Sequence, residues 1–470
     1  MTPEHGLRNQ PEAAARAPVT EPLSVAWANA FAENAPSIRT PIPGPRSLAL
    51  ADRCRRLEFG SLPWVDDMPI GFAGGAGVTL EDVDGNLLLD LTHGHMSAGL
   101  GHGNPEIADA IDRQTRKLMN LRNYPTEIRA ELMERLAEIT PGDLNLFGFF
   151  SSGTEAAEGA MRVARAVTGG HEFLSFYGDY HGKTMGAIAT SEIGDRTTGP
   201  RPSGFTIVPG GYCHRCEFKL EPSTCGLHCL AFAERAMKIN SHGALAGVFA
   251  EPITNGSGAR VYPPGYLKGL RDIADRNNVP LIFDEHATGF GRCGTMWAGD
   301  DEGVIPDIIF FSKMAGNGYP VTITAISERY REAAKACSAS STHGGMPVAC
   351  AAVLAVLDII QRDGLVDHVR APGVARLAAL KAMQSRHPII GDARGKGYLL
   401  GLELVDPATG LPSASISSRV ANRCMQLGVS VSPVGPTIRV SPMIVTSQPV
   451  ALRMLDIVER AVSDVESQLP

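Results

Sequence analysis

The middle of the chain alternates short apolar segments with amphipathic segments, and this alternation restricts the possible folds more than any other feature. The apolar segments predict strands over Leu146–Phe150, Glu172–Phe176, Ala246–Ala250, Pro280–Phe283 and Ile308–Phe311. The segments between them predict helices over Thr154–Val167, Leu227–Ile239 and Gly265–Arg276. Strands that are apolar on both faces are typical of parallel sheets covered by helices. We therefore predict an α/β fold with a large domain and a mainly parallel central sheet.

The segments on either side of this region predict a smaller unit. Asp84-Gly85 lies between two short apolar runs and predicts a β-hairpin over residues 77–90. We also predict a long helix from Met346 to about Arg362 and a pair of strands near Tyr398–Val405 and Thr437–Val440. The predicted organisation is a flexible N-terminal arm over residues 1–45, a segment over 46–105 that contributes to a small domain, a large domain over 106–365 and a small C-terminal α/β domain over 366–470.

The charge balance and the lack of long apolar runs exclude several classes of partner. The chain has 43 Lys and Arg residues against 50 Asp and Glu residues. Its net charge of −7 offers no general attraction to nucleic acid or anionic lipid. No segment approaches the roughly 18 to 20 apolar residues that cross a bilayer, and the N-terminus lacks the apolar core of a signal peptide. We expect a cytoplasmic protein that binds neither nucleic acid nor membranes.

Two predicted strands lead into ionisable residues. Asp284 directly follows Pro280–Phe283, and Lys313 comes two residues after Ile308–Phe311. The carboxyl ends of parallel strands meet at one edge of a sheet, where ligands bind in such folds, so both side chains are candidates for a site. The alternatives are that Asp284 caps a helix and that Lys313 lies on the surface. A desolvated lysine is also a nucleophile that forms a Schiff base with an aldehyde.

A turn and an aromatic residue complete this candidate set. Gly153 and Thr154 begin a predicted helix directly after a strand, where free N–H groups and the helix dipole favour a phosphate, although such turns also occur without ligands. Tyr180 follows the next strand and can cover a flat ring, although an aromatic packed on the core suits the same position. A phosphate site, a stacking ring, a carboxylate and a lysine together match the needs of pyridoxal 5′-phosphate.

Several ordered motifs carry a resemblance to a known family. From about Leu80 to its C-terminus the chain resembles the fold-type I pyridoxal-phosphate enzymes of the class III aminotransferase family, and among them 2,2-dialkylglycine decarboxylase. The motifs are Leu89–His102, Ser152–Glu158, Tyr180–Gly182, Ala250–Pro252, Asp284–Gly294, Ser312–Pro320, Ser341–Pro347 and Ile438–Pro442. The resemblance implies the fold-type I architecture and a pyridoxal-phosphate cofactor.

The resemblance also implies roles for individual residues. It makes Lys313 the Schiff-base lysine and proton shuttle, and it makes Asp284 the partner of the pyridine nitrogen. It assigns the phosphate to Gly153 and Thr154, and it assigns ring stacking to Tyr180. It places four further residues in the cofactor pocket, namely Ser152, His181, Glu251 and His286. It places Arg439 and His95 in the substrate pocket, with Arg439 on the α-carboxylate. It also places Thr342 on the phosphate of a neighbouring subunit's cofactor. The role of Thr342 implies a homodimer with shared active sites.

Four positions depart from the family pattern. His286 stands where the family has Val or Ala, and Ala287 stands where it has Gln. This change is either local drift in which His286 supplies the missing hydrogen bond or a change in the pocket's chemistry. His95 replaces the decarboxylase's glutamine, and Met346 replaces its metal-site aspartate. These last two changes argue against decarboxylation of dialkylglycines.

One position bears on the substrate. Family members that act on ω-amino acids carry a glutamate shortly after the Glu-Pro-Ile segment, and that glutamate masks the arginine when no α-carboxylate is present. This chain has Gly256 at that place. We therefore expect Arg439 to be unmasked and the substrate to carry an α-carboxylate.

A cluster of four cysteines needs a separate interpretation. Cys213, Cys216, Cys225 and Cys229 form two close pairs, which is a spacing typical of a structural zinc site, and thiolates also bind iron–sulfur clusters. The eight-residue linker between the pairs is short, so reduced thiols or a disulfide are the alternative. In either case we expect the cluster to lie in a loop away from Lys313.

Three enzymatic hypotheses and one non-enzymatic hypothesis remain. The leading one is an aminotransferase that moves an amino group between a substrate with an α-carboxylate and a keto or aldehyde partner. The second is decarboxylation-dependent transamination, and the third is racemisation or epimerisation with His286 or His95 as the second acid. A cofactor-free interaction protein built around the cysteines is disfavoured because all four cofactor roles are filled.

Overall fold

The computed structural model describes residues 21–59, 66–191 and 199–469, and its largest element is a seven-stranded sheet. The strands follow the spatial order β4-β12-β11-β10-β7-β5-β6. The pairs from β11 through β10, β7 and β5 to β6 are parallel, whereas β12 is antiparallel to both of its neighbours. Their bounds are β4 Leu144–Phe150, β5 Glu172–Phe176, β6 Phe205–Val208, β7 Leu245–Ala250, β10 Leu281–Asp284, β11 Ile308–Phe311 and β12 Thr322–Ser327. The predicted α/β class and mainly parallel sheet are confirmed.

Helices cover both faces of this sheet, as continuous apolar strands require. The central strands β5, β10 and β11 are buried along their whole length. The helices of the chain span Leu23–Ala30, Pro45–Arg55, His93–Met96, Pro105–Lys117, Glu127–Ile139, Gly153–Thr168, Met185–Ala189, His228–Asn240, Tyr266–Arg276, Arg331–Lys335, Pro347–Arg362, Leu365–Arg386, Ala414–Gln426 and Gln448–Glu466. Among the described residues, no helix is both long and apolar enough to cross a membrane.

There are two smaller four-stranded sheets, of which one joins the N-terminal segment to the C-terminal region and the other lies within the C-terminal region. One has the order β1-β2-β3-β15, with β1 Phe72–Ala76, β2 Thr79–Asp82, β3 Leu87–Asp90 and β15 Val429–Ser430. The other has the order β13-β14-β17-β16, with β13 Ile390–Lys396, β14 Leu399–Leu404, β16 Ser432–Val434 and β17 Thr437–Arg439. The predicted hairpin is the antiparallel pair β2–β3, and the predicted C-terminal pair is β14–β17. A two-stranded ladder of β8 Ile253–Thr254 and β9 Arg260–Val261 lies outside these sheets.

The sequence did not predict several of these elements, and three of them show why. Strand β12 reads Thr-Ile-Thr-Ala-Ile-Ser, and every one of its residues is buried despite the polar positions. Strand β6 is short and lies at the sheet edge. Leu23–Ala30 falls within the predicted N-terminal arm but forms a helix, and its Val25 and Ala28 are fully buried. Residues 1–20 of that arm lie outside the described residues.

Candidate active site

The predicted site residues meet at the carboxyl ends of four neighbouring strands, β5, β7, β10 and β11. Nδ1 of His181, in the loop after β5, lies 2.8 Å from Oδ2 of Asp284 at the end of β10. The backbone N–H of Tyr180 donates to Glu251, which follows β7, at 2.8 Å. Lys313 follows β11, the strand beside β10. We call these residues, together with His286 and the turn Ser152–Thr154, the cofactor side.

Asp284 lies between two imidazole rings. His181 approaches Oδ2, whereas Nδ1 of His286 lies 2.9 Å from Oδ1 and the backbone N–H of His286 donates to the same oxygen at 2.9 Å. Burial opposes ionisation of this carboxyl, but the two histidines outweigh burial and hold the pKa of Asp284 well below its usual range. Asp284 is therefore a fixed negative charge inside the protein.

His286 connects Asp284 to the turn that begins the helix Gly153–Thr168. A Cβ atom at Gly153 would lie 2.2 Å from Nε2 of His286, so only glycine fits that position. Nε2 of His286, on the side of the ring away from Asp284, is buried without a hydrogen-bond partner among the described residues. Buried polar atoms without partners are rare in native proteins. The pocket floor between Asp284 and Gly153 therefore has unused hydrogen-bonding capacity that a bound polar group can take up.

The side-chain carboxylate of Glu155 binds the backbone of the turn that precedes this helix. Glu155 accepts the N–H groups of Ser151 and Ser152, both at 2.9 Å. The N–H groups of Gly153 and Thr154 belong to the first helical turn, which has no intrahelical acceptor for them. The Thr154 hydroxyl lies 2.7 Å from the hydroxyl of Thr184. The arrangement is suited to binding an anion such as a phosphate.

Lys313 has an unusual backbone and an altered amine. Its φ of 48° lies in the left-handed region, which costs energy for a residue with a side chain and is common at functional sites. Burial lowers the pKa of Lys313 to about 8, with the nearby Arg439 and Arg292 acting in the same direction and Asp284 and Glu251 opposing it. A substantial fraction of the amine is therefore neutral near pH 8.

Arg439 faces the same pocket from β17 of the C-terminal region. It is 4% exposed, and its Nη1 and Nη2 lie 3.4 Å from Sδ of Met96 and 3.4 Å from Nε2 of His95. Burial lowers the pKa of Arg439 to about 10, and burial together with Arg439 and Lys313 lowers the pKa of His95 to about 3. His95 is thus a neutral imidazole beside a guanidinium.

Two residues missed by the sequence analysis support this part of the site. Arg292 is fully buried, and its Nη2 donates to the carbonyl of Met96 at 2.6 Å. Nε2 of His93 lies 3.0 Å from the carbonyl of Ser441, two residues after Arg439. Both residues lie inside the motifs that carry the family resemblance, and this position was the sequence feature that could have identified them as site residues. We call Arg439, Arg292, His93, His95 and Met96 the substrate side.

The backbone of the substrate side is strained. His93, Gly94, His95 and Met96 all have φ between 33° and 72°. Three of the four carry side chains, for which this region is unfavourable. Arg292 and Asp90 hold the segment in place, the latter by accepting the N–H of His93 at 3.0 Å.

Thr342 is exposed and stands apart from the groups around Asp284. Its carbonyl accepts a hydrogen bond from the Asn120 side chain at 3.2 Å. The hydroxyl of the preceding Ser341 lies 3.4 Å from that of Ser151. The loop therefore approaches the anion-binding turn of its own chain while presenting Thr342 outward.

The structure does not support the predicted metal ion at the cysteine cluster. Cys213, Cys216, Cys225 and Cys229 are free thiols. Across residues 21–59, 66–191 and 199–469, no group of three or more Cys, His, Asp or Glu side chains is arranged to hold a metal. Burial and the neighbouring cysteines raise the pKa of Cys213 and raise that of Cys229 to about 11, which keeps these thiols protonated. Of the alternatives, reduced thiols match the structure.

Known proteins resemble this chain over most of its length. The family "Aminotransferase class-III" matches residues 62–462. A 4-aminobutyrate aminotransferase of Mycobacterium leprae is 32% identical over 448 residues, which cover 92% of this chain and 99% of that protein. An alanine/serine racemase of Pyrococcus horikoshii is 30% identical over 452 residues, 91% of this chain and 93% of the relative. The crystal structure of an (S)-enantioselective omega-transaminase from Thermomicrobium roseum has a TM-score of 0.83 at 28% identity and covers 89% of this chain and 98% of its own.

Proposed function

The chain belongs to the class III aminotransferase family, and on that premise we propose that it transfers an amino group between a substrate with an α-carboxylate and a keto or aldehyde partner. The proposal names a substrate class because one feature of the pocket distinguishes this chain. That feature is the charge around Arg439.

Members of this family use pyridoxal phosphate, and the residues of the cofactor side fit that group. Gly153 and Thr154 offer unpaired N–H groups for its phosphate, Asp284 offers a buried carboxylate for its pyridine nitrogen, and Nε2 of His286, which has no partner among the described residues, lines the floor between them. Tyr180 would cover its ring, and Lys313 would bind its aldehyde. When bound, the cofactor supplies an electron-withdrawing ring that accepts the electron pair of a broken bond at the substrate's α-carbon.

Lys313 and Asp284 have complementary tasks in this proposal. With the cofactor bound, the Nζ amine of Lys313 would take the proton from the substrate's α-carbon and would give a proton back to complete the transfer of the amino group, which its pKa of about 8 permits close to neutral pH. Asp284 remains ionised and holds the proton on the pyridine nitrogen. Glu251 fixes the loop that carries Tyr180 by accepting the Tyr180 N–H at 2.8 Å.

The observation that carries the substrate class is the surroundings of Arg439. Among the described residues, no carboxylate lies within ion-pair distance of this buried guanidinium, which contacts Met96 and His95. The charge of Glu251 acts on Arg439 from farther away. The loop with Gly256 packs against β17, since a Cβ at Gly258 would lie 2.6 Å from Thr437. A glutamate at position 256 is thus replaced by a residue that cannot mask Arg439. A buried arginine without an anion is suited to pair with a substrate carboxylate.

Product analysis with a panel of amino acids tests the proposal. The enzyme is incubated with pyridoxal phosphate, α-amino acids, 4-aminobutyrate and simple amines, each with a keto-acid or aldehyde acceptor. We expect a new keto acid and a new amine from α-amino acids, with weaker use of the other donors. Release of carbon dioxide in step with amine formation would instead show decarboxylation. Faster turnover of 4-aminobutyrate than of any α-amino acid would contradict the role given to Arg439.

The similarity to an alanine/serine racemase favours racemisation as a second candidate. Racemisation needs a second group that moves a proton on the opposite face of the substrate from Lys313. His95 is the candidate, because its imidazole is neutral and close enough to Lys313 and Arg439 for their charges to act on it. Loss of optical activity without formation of a keto acid would identify this reaction in the same panel.

We also propose a homodimer with shared active sites. The exposure of Thr342 and its position in a family-like motif support this assembly, in which Thr342 reaches the cofactor phosphate of the other subunit. Size-exclusion chromatography with light scattering measures the oligomeric state. In the dimer, Thr342→Val should weaken the binding of pyridoxal phosphate. A monomeric, fully active enzyme would contradict the sharing of sites.

A further inference from the structure

We propose that Asp179 is a positioning residue of the cofactor side, which acts through His181 by facing the far nitrogen of its ring and so holds that ring against Asp284. Asp179 lies one residue before Tyr180, in the loop after β5. Neither the reaction described above nor the anion-binding turn uses it. The functional consequence rests on the proposed function, whereas the charge state of His181 can be tested without it.

The geometry is a line of three buried groups. Nδ1 of His181 lies 2.8 Å from Oδ2 of Asp284, and Nε2 on the other side of the ring lies 3.8 Å from Oδ2 of Asp179. The side chains of Asp179 and His181 are completely buried, and that of Asp284 is 4% exposed. Nε2 of His181 and Oδ1 of Asp179 have no hydrogen-bond partner among the described residues. The ion pair therefore helps to compensate for burying the far nitrogen of His181 and the carboxylate of Asp179.

Two ionised carboxylates favour a ring that carries protons on both nitrogens. Burial raises the pKa of Asp179, and the His181 ring opposes that rise. A neutral imidazole has one N–H donor and one lone pair, and the lone pair would face one of the two carboxylates. Burial alone lowers the pKa of His181, but Asp179 and Asp284 outweigh it and raise that pKa to about 10. An imidazolium donates a charge-assisted hydrogen bond, which is stronger than that of a neutral ring. The ring therefore fixes Asp284 more firmly than a lone histidine could.

Asp179 is itself held by the neighbouring strand end. The backbone N–H of Glu251 donates to Oδ2 of Asp179 at 3.3 Å. The backbone N–H of His181 donates to Ser191 at 2.8 Å, and the ring of Phe249 meets the imidazole edge-on at 4.6 Å. Glu251, Tyr262 and Tyr266 are the further titratable groups that interact with Asp179. Those that interact with Asp284 are His286, Tyr180, Lys313 and again Glu251.

The test follows the protonation of His181 in the full-length enzyme with pyridoxal phosphate. Nitrogen-15 NMR of histidine-labelled protein reports whether each ring nitrogen carries a proton, and His181→Gln identifies the resonances. In the wild type we expect both nitrogens of His181 to be protonated at pH 8. In Asp179→Asn, which keeps the size and the acceptor for Glu251, we expect the titration to fall by roughly 2 to 3 pH units. We expect kcat/KM in this variant to fall about 10-fold.

The matched control is Asp307→Asn. Asp307 is also buried, at 6% exposure, but it pairs with Arg271 at 2.7 Å near the start of β11, the opposite end of the strand from Lys313. His181 should titrate there as in the wild type. A neutral His181 in the wild type at pH 8 would overturn the proposal even if Asp179→Asn failed to fold. An unchanged titration in Asp179→Asn would also overturn it. Failure of the wild type to bind pyridoxal phosphate would instead refute the proposed function and leave the His181 result intact.

Discussion

The two sides of the active site differ in how their buried charges are compensated. On the cofactor side, the carboxylate of Asp284 is buried but has two imidazole partners within 3 Å. On the substrate side, Arg439 and Arg292 are buried, and among the described residues neither has a carboxylate within ion-pair distance. On the cofactor side the buried charge of Asp284 is therefore paired within the chain. On the substrate side the buried positive charge has no anionic partner at ion-pair distance among the described residues.

This difference indicates what each side is built to bind. A buried charge without a partner destabilises a protein, so it persists where function requires it. The cofactor side can fold with its charges satisfied and then accept a group that shares them. The substrate side is satisfied only when an anion enters.

Replacing the lysine between the two sides should have the largest effect. Lys313→Ala should abolish the visible absorbance band of the Schiff base between pyridoxal phosphate and the protein. It should also abolish turnover, because Lys313 is the amine at the end of β11. Absorbance spectra and the amino-acid panel measure both. The exposed Lys335→Ala is the matched control and should behave as the wild type. A retained lysine-bound band with full turnover would refute the assignment of Lys313.

Neutralising the cofactor side should come next. Asp284→Asn should leave the cofactor bound but slow turnover by several orders of magnitude, because a neutral amide cannot keep the pyridine nitrogen protonated. Glu285→Gln is the matched control on the next residue. Glu285 accepts the N–H of Ala298 at 2.7 Å and has a structural position, so we expect a smaller loss. Near wild-type turnover of Asp284→Asn would mean that this carboxylate only supports the loop.

Neutralising the substrate side should affect carboxylate substrates alone. Loss of one partner from a buried, hydrogen-bonded charge pair costs roughly 2 to 5 kcal/mol, so Arg439→Ala should lower kcat/KM for α-amino acids about 30-fold or more. A neutral amine donor should be unaffected or improved. Arg423→Ala, which breaks an ion pair with Asp464 elsewhere in the C-terminal region, is the control. Equal losses for both substrate classes would show that Arg439 has a structural role.

Supplying the missing acid should have the smallest effect. Gly256→Glu should place a carboxylate near Arg439 that competes with the substrate, and we expect kcat/KM for α-amino acids to fall by roughly 3-fold to 10-fold. The relative use of 4-aminobutyrate should rise in competition assays. Gly256→Gln, similar in size but uncharged, separates charge from bulk. An equal change in both variants would rule out an electrostatic cause.

Local patterns placed Asp284, Lys313 and Tyr180 after strand ends, and the structure has them at one edge of the sheet. His181, Glu251 and His286 were assigned through the family resemblance, and the roles of all these residues stay predictions. The helix expected from Met346 spans Pro347–Arg362, and Asp284 and His181 meet where parallel strands end. Strand β12 was missed because its alternating Thr and Ile residues resemble a half-exposed segment, whereas the fold buries both faces. Arg292 was missed because a fully buried arginine without an acidic partner contradicts the usual pairing of buried charges.

The pairing of β3 with β15 has a consequence for the order in which the protein matures. Leu89 pairs with Val429, more than 300 positions later in the sequence. The seven-stranded sheet uses residues 144–327 only. During synthesis the cofactor side can therefore assemble while the last strands are still absent, as domains generally fold in chain order. Arg439 is synthesised more than 100 residues after the last strand of that sheet, so the nascent protein acquires the proposed carboxylate-binding group after its cofactor side.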